Sequence, residues 1–232
     1  DSGQEFFDTN SGAPRFVDEL SDGLNYDENI YAAYAGLSKD WEKLSIKGGL
    51  RGEFTDVEGN SDDFGTVNTQ EYFELFPTFY LMYSASQNHS FGIDYSRRIM
   101  RPRFQSLNTY RYFITENNFQ EGNPDLRPAI TNKINFNYTY KNKLSFDLYW
   151  ERGDNAIAVL PFQDNDARTL RYVNANMDFD QQFSLDVMYY SYLTDWWYLY
   201  AYGSVYQLRN DFYALESNGQ TVTNEVNSTF LQ

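Results

Sequence analysis

The 232-residue chain has no cysteine and a single histidine. Without cysteine there is no disulfide framework, no thiolate metal site and no thiol nucleophile. The one histidine, His89, lies in a short polar turn with no second His or Cys to join it, so a metal centre or a histidine-based relay lacks its partner. A solvated turn residue is the simpler reading. Positive charge is scarce too: 18 Lys and Arg stand against 33 Asp and Glu, giving a net charge of -15. Nothing here could neutralise phosphates along a groove, which argues against a nucleic-acid partner. No apolar run approaches the length of a membrane helix.

What the chain has in excess is aromatic residues. Phe, Trp and Tyr make up 19% of it, with 21 Tyr and 19 Phe. They are placed with a period of two. Ile134, Phe136, Tyr138 and Tyr140 alternate with Asn135, Asn137 and Thr139. After the tight turn Lys141-Asn142-Lys143, Leu144, Phe146, Leu148 and Trp150 alternate with Ser145, Asp147, Tyr149 and Glu151. A period of two gives each set its own side of a sheet, one oily and one charged or amidic. The same phase recurs in Leu44, Ile46, Leu50 and Phe54, in Phe79, Leu81 and Tyr83, in Phe91, Ile93 and Tyr95, and in Phe183, Leu185, Val187 and Tyr189. Tyr198, Tyr200, Tyr202 and Tyr206 continue it, Ile30 to Leu37 forms a first strand of ambiguous facing, and Thr229-Phe230-Leu231 reads as the start of one more.

The connections alternate between short and long. Short turns fall at Lys39 to Glu42, Ser86 to His89, Lys141 to Lys143 and Thr194-Asp195. Long connections run from Asp56 to Glu71, which contains Asp56, Glu58, Asp62, Asp63 and Glu71 and no Lys or Arg, from about Arg101 to Asn132, through Asp164-Asn165-Asp166, and from about Asn210 to Asn227. A sheet with one apolar face, aromatics near strand ends and this loop asymmetry predicts an all-β, antiparallel transmembrane β-barrel segment, with short periplasmic turns and long extracellular loops. Mean hydropathy of -0.66 is compatible, because only every second strand residue meets lipid. The segment amounts to roughly eight strands whose ends do not read as a closing seam. Trp41, Tyr83, Tyr140, Tyr192, Trp196 and Trp197 are expected in the periplasmic aromatic girdle. Arg51, Asp94, Asp147, Glu151 and Asp186 fall in the polar phase and are expected to face the lumen. The competing reading is a soluble, secreted β-sandwich that binds carbohydrate through exposed aromatics.

Three sequence blocks carry a more specific likeness. They are YSRRIMRP at Tyr95 to Pro102, EGNPDLRP at Glu121 to Pro128, and YTYKNK at Tyr138 to Lys143. In this order they resemble the C-terminal part of the barrel of TonB-dependent outer-membrane receptors, in particular the Bacteroidota-type outer membrane β-barrel family proteins. YDENIYAAY at Tyr26 to Tyr34 and YFELFP at Tyr72 to Pro77 are also similar, so the likeness covers most of the chain. The resemblance implies that residues 1–232 are part of one barrel domain of about 22 strands in a Gram-negative outer membrane. It also implies a plug and a TonB-contacting segment upstream, and a ligand-uptake role in which this segment is wall and extracellular rim. A structural or assembly-associated barrel without transport is the alternative within that class. No signal peptide is visible at Asp1, so the chain is expected to be an internal piece of a longer protein.

Expected partners are outer-membrane lipid and lipopolysaccharide, the TonB complex through the upstream part, and a surface lipoprotein or other outer-membrane subunit. No cofactor, metal site or enzyme activity is expected, since no nucleophile has an oriented base. Arg97, Arg98, Arg101 and Arg103 with Tyr110 and Tyr112 form the one basic-aromatic cluster. Arg101, Arg103, Tyr110 and Tyr112 are the candidate ligand-binding group on the rim, suited to anions through charge-assisted contacts. The bland reading pairs these arginines with lumen carboxylates such as Asp94, Asp147 and Glu151. Asp164 and Asp166 lack the rest of a calcium loop, and the Asn137-Tyr138-Thr139 sequon is discounted because Asn137 falls in the lumen phase. Gly122, Asn123, Pro124 and Pro128 read as a rigid turn that shapes the second long connection.

Overall fold

The computed structural model describes residues 2–4, 7–8, 12–16, 22–61, 65–108, 111–213 and 220–232, and nearly all of them are strand. In chain order the strands are β1 (Ser2–Gln4), β2 (Phe7–Asp8), β3 (Arg15–Phe16), β4 (Asp22–Asp40), β5 (Leu44–Ser61), β6 (Gly65–Ser86) and β7 (His89–Met100). One turn of helix, α1 (Phe104–Leu107), follows, and then β8 (Arg111–Thr115), β9 (Asn118–Glu121), β10 (Ala129–Tyr140), β11 (Leu144–Asp154), β12 (Ile157–Asp164) and β13 (Thr169–Asn176). The chain finishes with β14 (Phe179–Tyr192), β15 (Tyr198–Tyr213) and β16 (Thr221–Leu231).

Ten strands form one sheet in the order β1-β4-β5-β6-β7-β10-β11-β14-β15-β16, every pair antiparallel. The eight expected strands are β4, β5, β6, β7, β10, β11, β14 and β15, with β16 as the one announced by Phe230. The tight turn between β10 and β11 spans the three residues Lys141 to Lys143; Lys141 (φ 51°) and Asn142 (φ 50°) are both left-handed, and Lys143 N donates to Tyr140 O at 3.0 Å.

Register puts the apolar rows side by side. Leu81, Ile93, Phe136, Leu148, Leu185 and Val205 stand directly across from one another from β6 to β15. These side chains do not meet a second layer of protein: Leu37 is 86% exposed and Phe73 63%, whereas Glu53 and Ser184 on the opposite face are each at 5%. Apolar residues out and polar residues in is the arrangement of a lipid-facing wall, and it removes the two-sheet sandwich, whose apolar rows would be shared between stacked sheets. The sheet is open, as a segment of a larger barrel is.

The apolar band also slides along the ladder. Its upper end lies at Phe54 and Phe73 on β5 and β6, but at Trp150 and Phe183 on β11 and β14. Phe79, six residues along β6 from Phe73, is the residue whose ladder runs through Tyr95 and Ile134 to Trp150. A slide of about two residues per strand is what a band level with the bilayer requires when strands are tilted by about 35–45°.

The long connections differ from expectation, since most of their residues are strand. Asp56 to Ser61 and Gly65 to Glu71 extend the β5–β6 hairpin beyond the apolar band, with a register shift at Gly59/Asn60, and only the tip, residues 62–64, lies outside the described residues. Beyond lipid neither face needs apolar residues, so pairing continues without the alternation that announces it. The second and third connections supply a separate four-stranded sheet ordered β12-β13-β9-β8, in which β13 and β9 are parallel. The fourth is shortened from both sides by β15 and β16.

Candidate functional site at the long-loop end of the polar face

The polar face carries Arg51, Asp94, Asp147, Glu151 and Asp186 in one phase of the register. Asp147 accepts a hydrogen bond from Asn137 Nδ2 at 2.8 Å and lies across the ladder from Asp186, which in turn accepts from the Tyr202 hydroxyl at 2.8 Å. Asn135 Nδ2 donates to Asp94 at 3.2 Å, and the Tyr149 hydroxyl donates to Glu151. Tyr198, Tyr200, Tyr202 and Tyr206 pair across from Tyr192, Tyr190, Met188 and Ser184, so this tyrosine row, expected to continue the apolar phase, is instead on the polar face.

At the long-loop end of this face, charge is neutralised locally. Arg101, just past β7, has Nε 3.0 Å from Glu28 Oε1, while one terminal nitrogen donates to Glu53 Oε2 at 2.7 Å and Thr55 Oγ1 at 2.9 Å. Arg51 adds a second ion pair to the same Glu53. Burial alone would lower the Arg101 pKa, but the hydrogen bond to Glu53, together with Tyr72 and the charge of Glu53, outweighs it and holds the guanidinium above its ordinary value. Arg97 donates to Glu74 Oε2 at 2.6 Å. The partners of these arginines are therefore Glu28, Glu53 and Glu74, not the expected Asp94, Asp147 and Glu151. Sequence reasoning missed them because Glu28 and Glu53 come from β4 and β5, far from Arg101 along the chain.

Over this cluster the second long connection folds down as a small cap. Leu107 of α1 and Leu126 are buried together, with Tyr26, Phe104 and Ile157 packed around them. Tyr26 and Phe104 meet edge to face at 6.4 Å. The EGNPDLRP block is the keystone. A side chain on Gly122 would put Cβ 1.9 Å from the Asn108 carbonyl oxygen, so only glycine permits this backbone approach. Asn123 N donates to Ser106 O at 2.7 Å and its side chain to Asn174 O at 3.1 Å. Asn68 and Gln70 of β6 donate to Pro124 O at 2.6 Å and Leu126 O at 3.0 Å. Asn176 of β13 accepts from Arg127 N at 2.8 Å and donates back to Arg127 O at 2.9 Å. The block thus ties α1, the β6 extension and the four-stranded sheet together.

The three described candidate ligand residues, Arg101, Arg103 and Tyr112, are not brought into one group. Arg101 is held by the carboxylates beneath the cap, whereas Arg103 is exposed at the start of α1 and Tyr112 is 70% exposed on β8. Tyr110 lies outside the described residues. Of the expected girdle, Trp41, Trp196 and Trp197 sit in the short turns and are exposed, Trp196 at 83%. Tyr83 and Tyr140 share the apolar row, and Tyr192 lies at the same end of the sheet but in the polar-face row. His89 opens β7, with Nδ1 2.8 Å from the Tyr138 hydroxyl and its ring 5.0 Å from that of Tyr140. Asp164 is an acceptor for the backbone N–H groups of Asp166 and Ala167 at 2.9 Å each, which makes it a turn residue.

An antiparallel wall with apolar residues outside, charge-paired residues inside and long connections at one end defines an outer-membrane barrel. The model of the outer membrane protein beta-barrel family matches residues 1–232, and the chain belongs to that family. Its place is the outer membrane. No curated protein matches it. Among solved structures, the copper transporter OprC superposes with a TM-score of 0.56 at 12% identity, covering 90% of this chain and 35% of that one. The siderophore receptor PirA from Pseudomonas aeruginosa gives 0.48 at 9% identity, covering 91% of this chain and 50% of that one. The FrpB iron transporter from Neisseria meningitidis gives 0.46 at 16% identity, covering 85% and 28%. The chain spans between about a quarter and a half of these structures.

Proposed function

We propose that the protein is wall and extracellular rim of a TonB-dependent outer-membrane receptor, taking up a ligand with energy delivered through TonB to a plug elsewhere in the polypeptide. The observation that supports this most is the inward cap: the second long connection folds onto the polar face around Leu107 and Leu126, at the end of the wall where a receptor would meet its ligand. The short-turn end is then periplasmic and the long-loop end extracellular. Arg103 and Tyr112 are the exposed members of the rim group, and Arg101 organises the cap from below.

Binding of the purified C-terminal domain of TonB to the full-length protein in detergent, followed by surface plasmon resonance, tests the reading. Specific binding in the micromolar range is expected. Its absence would favour a structural barrel, for which the same wall serves without a plug cycle. Alanine at Arg103, Tyr110 and Tyr112 in the full-length protein is expected to weaken ligand capture while heat-modifiable migration on gels stays unchanged.

A further inference from the structure

β6 is paired unequally on its two sides. β5 accompanies it along residues 65–83, but β7 does so only from Thr78 to Ser86. Pro77, which has no N–H to give a ladder, stands where the second pairing stops. β7 leaves through Arg101-Pro102, and its other neighbour, β10, begins only at Ala129. Above Thr78 the β6 edge therefore has no strand partner among the described residues, and it presents a row of backbone donors and acceptors.

A cleft of about 850 Å³ lies along this edge. Five consecutive β6 residues, Asn68 to Tyr72, line it. A cavity against one face of a strand touches alternate residues; one touched by consecutive residues follows the edge. Its far side is formed by Ile99, Arg127 and Pro128. The amide bridges from Asn68 and Gln70 to Pro124 O and Leu126 O close it towards the polar face. Glu71, Glu74 and Asp125 line it against one cation, Arg127, and the Arg97–Glu74 pair neutralises only one of those carboxylates.

We infer that this slot is a β-augmentation site, in which an extended segment of a partner protein carrying Lys or Arg at alternate positions adds as a strand to the β6 edge between Asn68 and Glu74. Main-chain hydrogen bonds supply the affinity, and Glu71 and Asp125 select the basic side chains. The volume is within the usual range of binding clefts, about 300–1,000 Å³. Five extended residues span about 17 Å. The site needs the wall and the cap only, so it stands whether or not the protein transports.

The test uses the intact protein in detergent micelles and fluorescence polarisation with three labelled octapeptides: alternating Lys and Thr, the same sequence fully N-methylated on the backbone, and alternating Glu and Thr. The Lys peptide is expected to bind, with N-methylation and charge reversal each weakening it at least tenfold. Glu71→Lys, an exposed change that leaves the barrel folded, should weaken the Lys peptide and strengthen the Glu peptide. Equal binding of the N-methylated peptide would reduce the site to unspecific charge attraction and overturn the inference. So would failure of the Lys peptide to bind, including the case in which a neutral oligosaccharide such as maltohexaose binds instead.

Discussion

Arginine placed at two adjacent positions of β11 separates the two faces of the wall. Leu148 is 41% exposed in the middle of the apolar row, between Phe136 and Leu185 across the ladder. Leu148→Arg puts a guanidinium among lipid chains, which costs about 2–4 kcal/mol near the bilayer midplane. Asp147, one residue earlier, faces the lumen, and Asp147→Arg loses the hydrogen bond from Asn137, a net of about 0.5–1.5 kcal/mol. It also replaces a like-charge pair with Asp186 by an opposite one, which returns about 0.2–1 kcal/mol. The second substitution should therefore be close to neutral. The gap of roughly 3 kcal/mol corresponds to about a hundredfold in the folding equilibrium. Urea titration of the full-length protein in phospholipid vesicles, monitored by heat-modifiable gel migration, measures both. Equal penalties within 0.5 kcal/mol on the scale of ordinary mutational additivity error, or a larger one at Asp147, would mean that the facing is wrong.

Arg101→Ala leaves Glu53 and Thr55 buried without their main partner and should cost about 3 kcal/mol, with Arg101→Lys recovering part of it in the same titration. If Arg101→Ala proves neutral, the cap is not anchored by that cluster. Gly122→Ala forces its Cβ into the Asn108 backbone and should make residues 104–128 cleavable by trypsin while the barrel stays folded; unchanged protection would contradict the keystone role. Trp196 and Trp197 in the short turns should be quenched by lipids brominated near the headgroup more than by lipids brominated deep in the chain. The reverse order would remove them from the girdle.

Strand existence and facing could be read directly wherever lipid contact imposes a period of two. Ile134 to Trp150 is the clearest case, since alternation, turn and register all follow from the residues themselves. The same physics hid the β5–β6 extension and the Thr221 to Asn227 part of β16: past the bilayer both faces of a strand are wet, so Asp56 to Ser61 and Thr221 to Asn227 pair through their backbones without an apolar signature. The EGNPDLRP block announced a rigid turn, but that Gly122 abuts Asn108, and that Asn68 and Gln70 hold its carbonyls, depends on contacts between distant segments. The fate of Arg101 was likewise undecided locally, because nothing near it in the chain says that Glu28 and Glu53 come to lie beneath it. Sequence by itself determined the alternation, and with it the class of wall and the side that meets lipid, because those depend on each residue's own polarity and its parity along the strand. Only tertiary structure decided which charges pair, how the second connection caps the polar face and where β6 loses its neighbour, because each of these is a contact between residues whose separation along the chain carries no local signal.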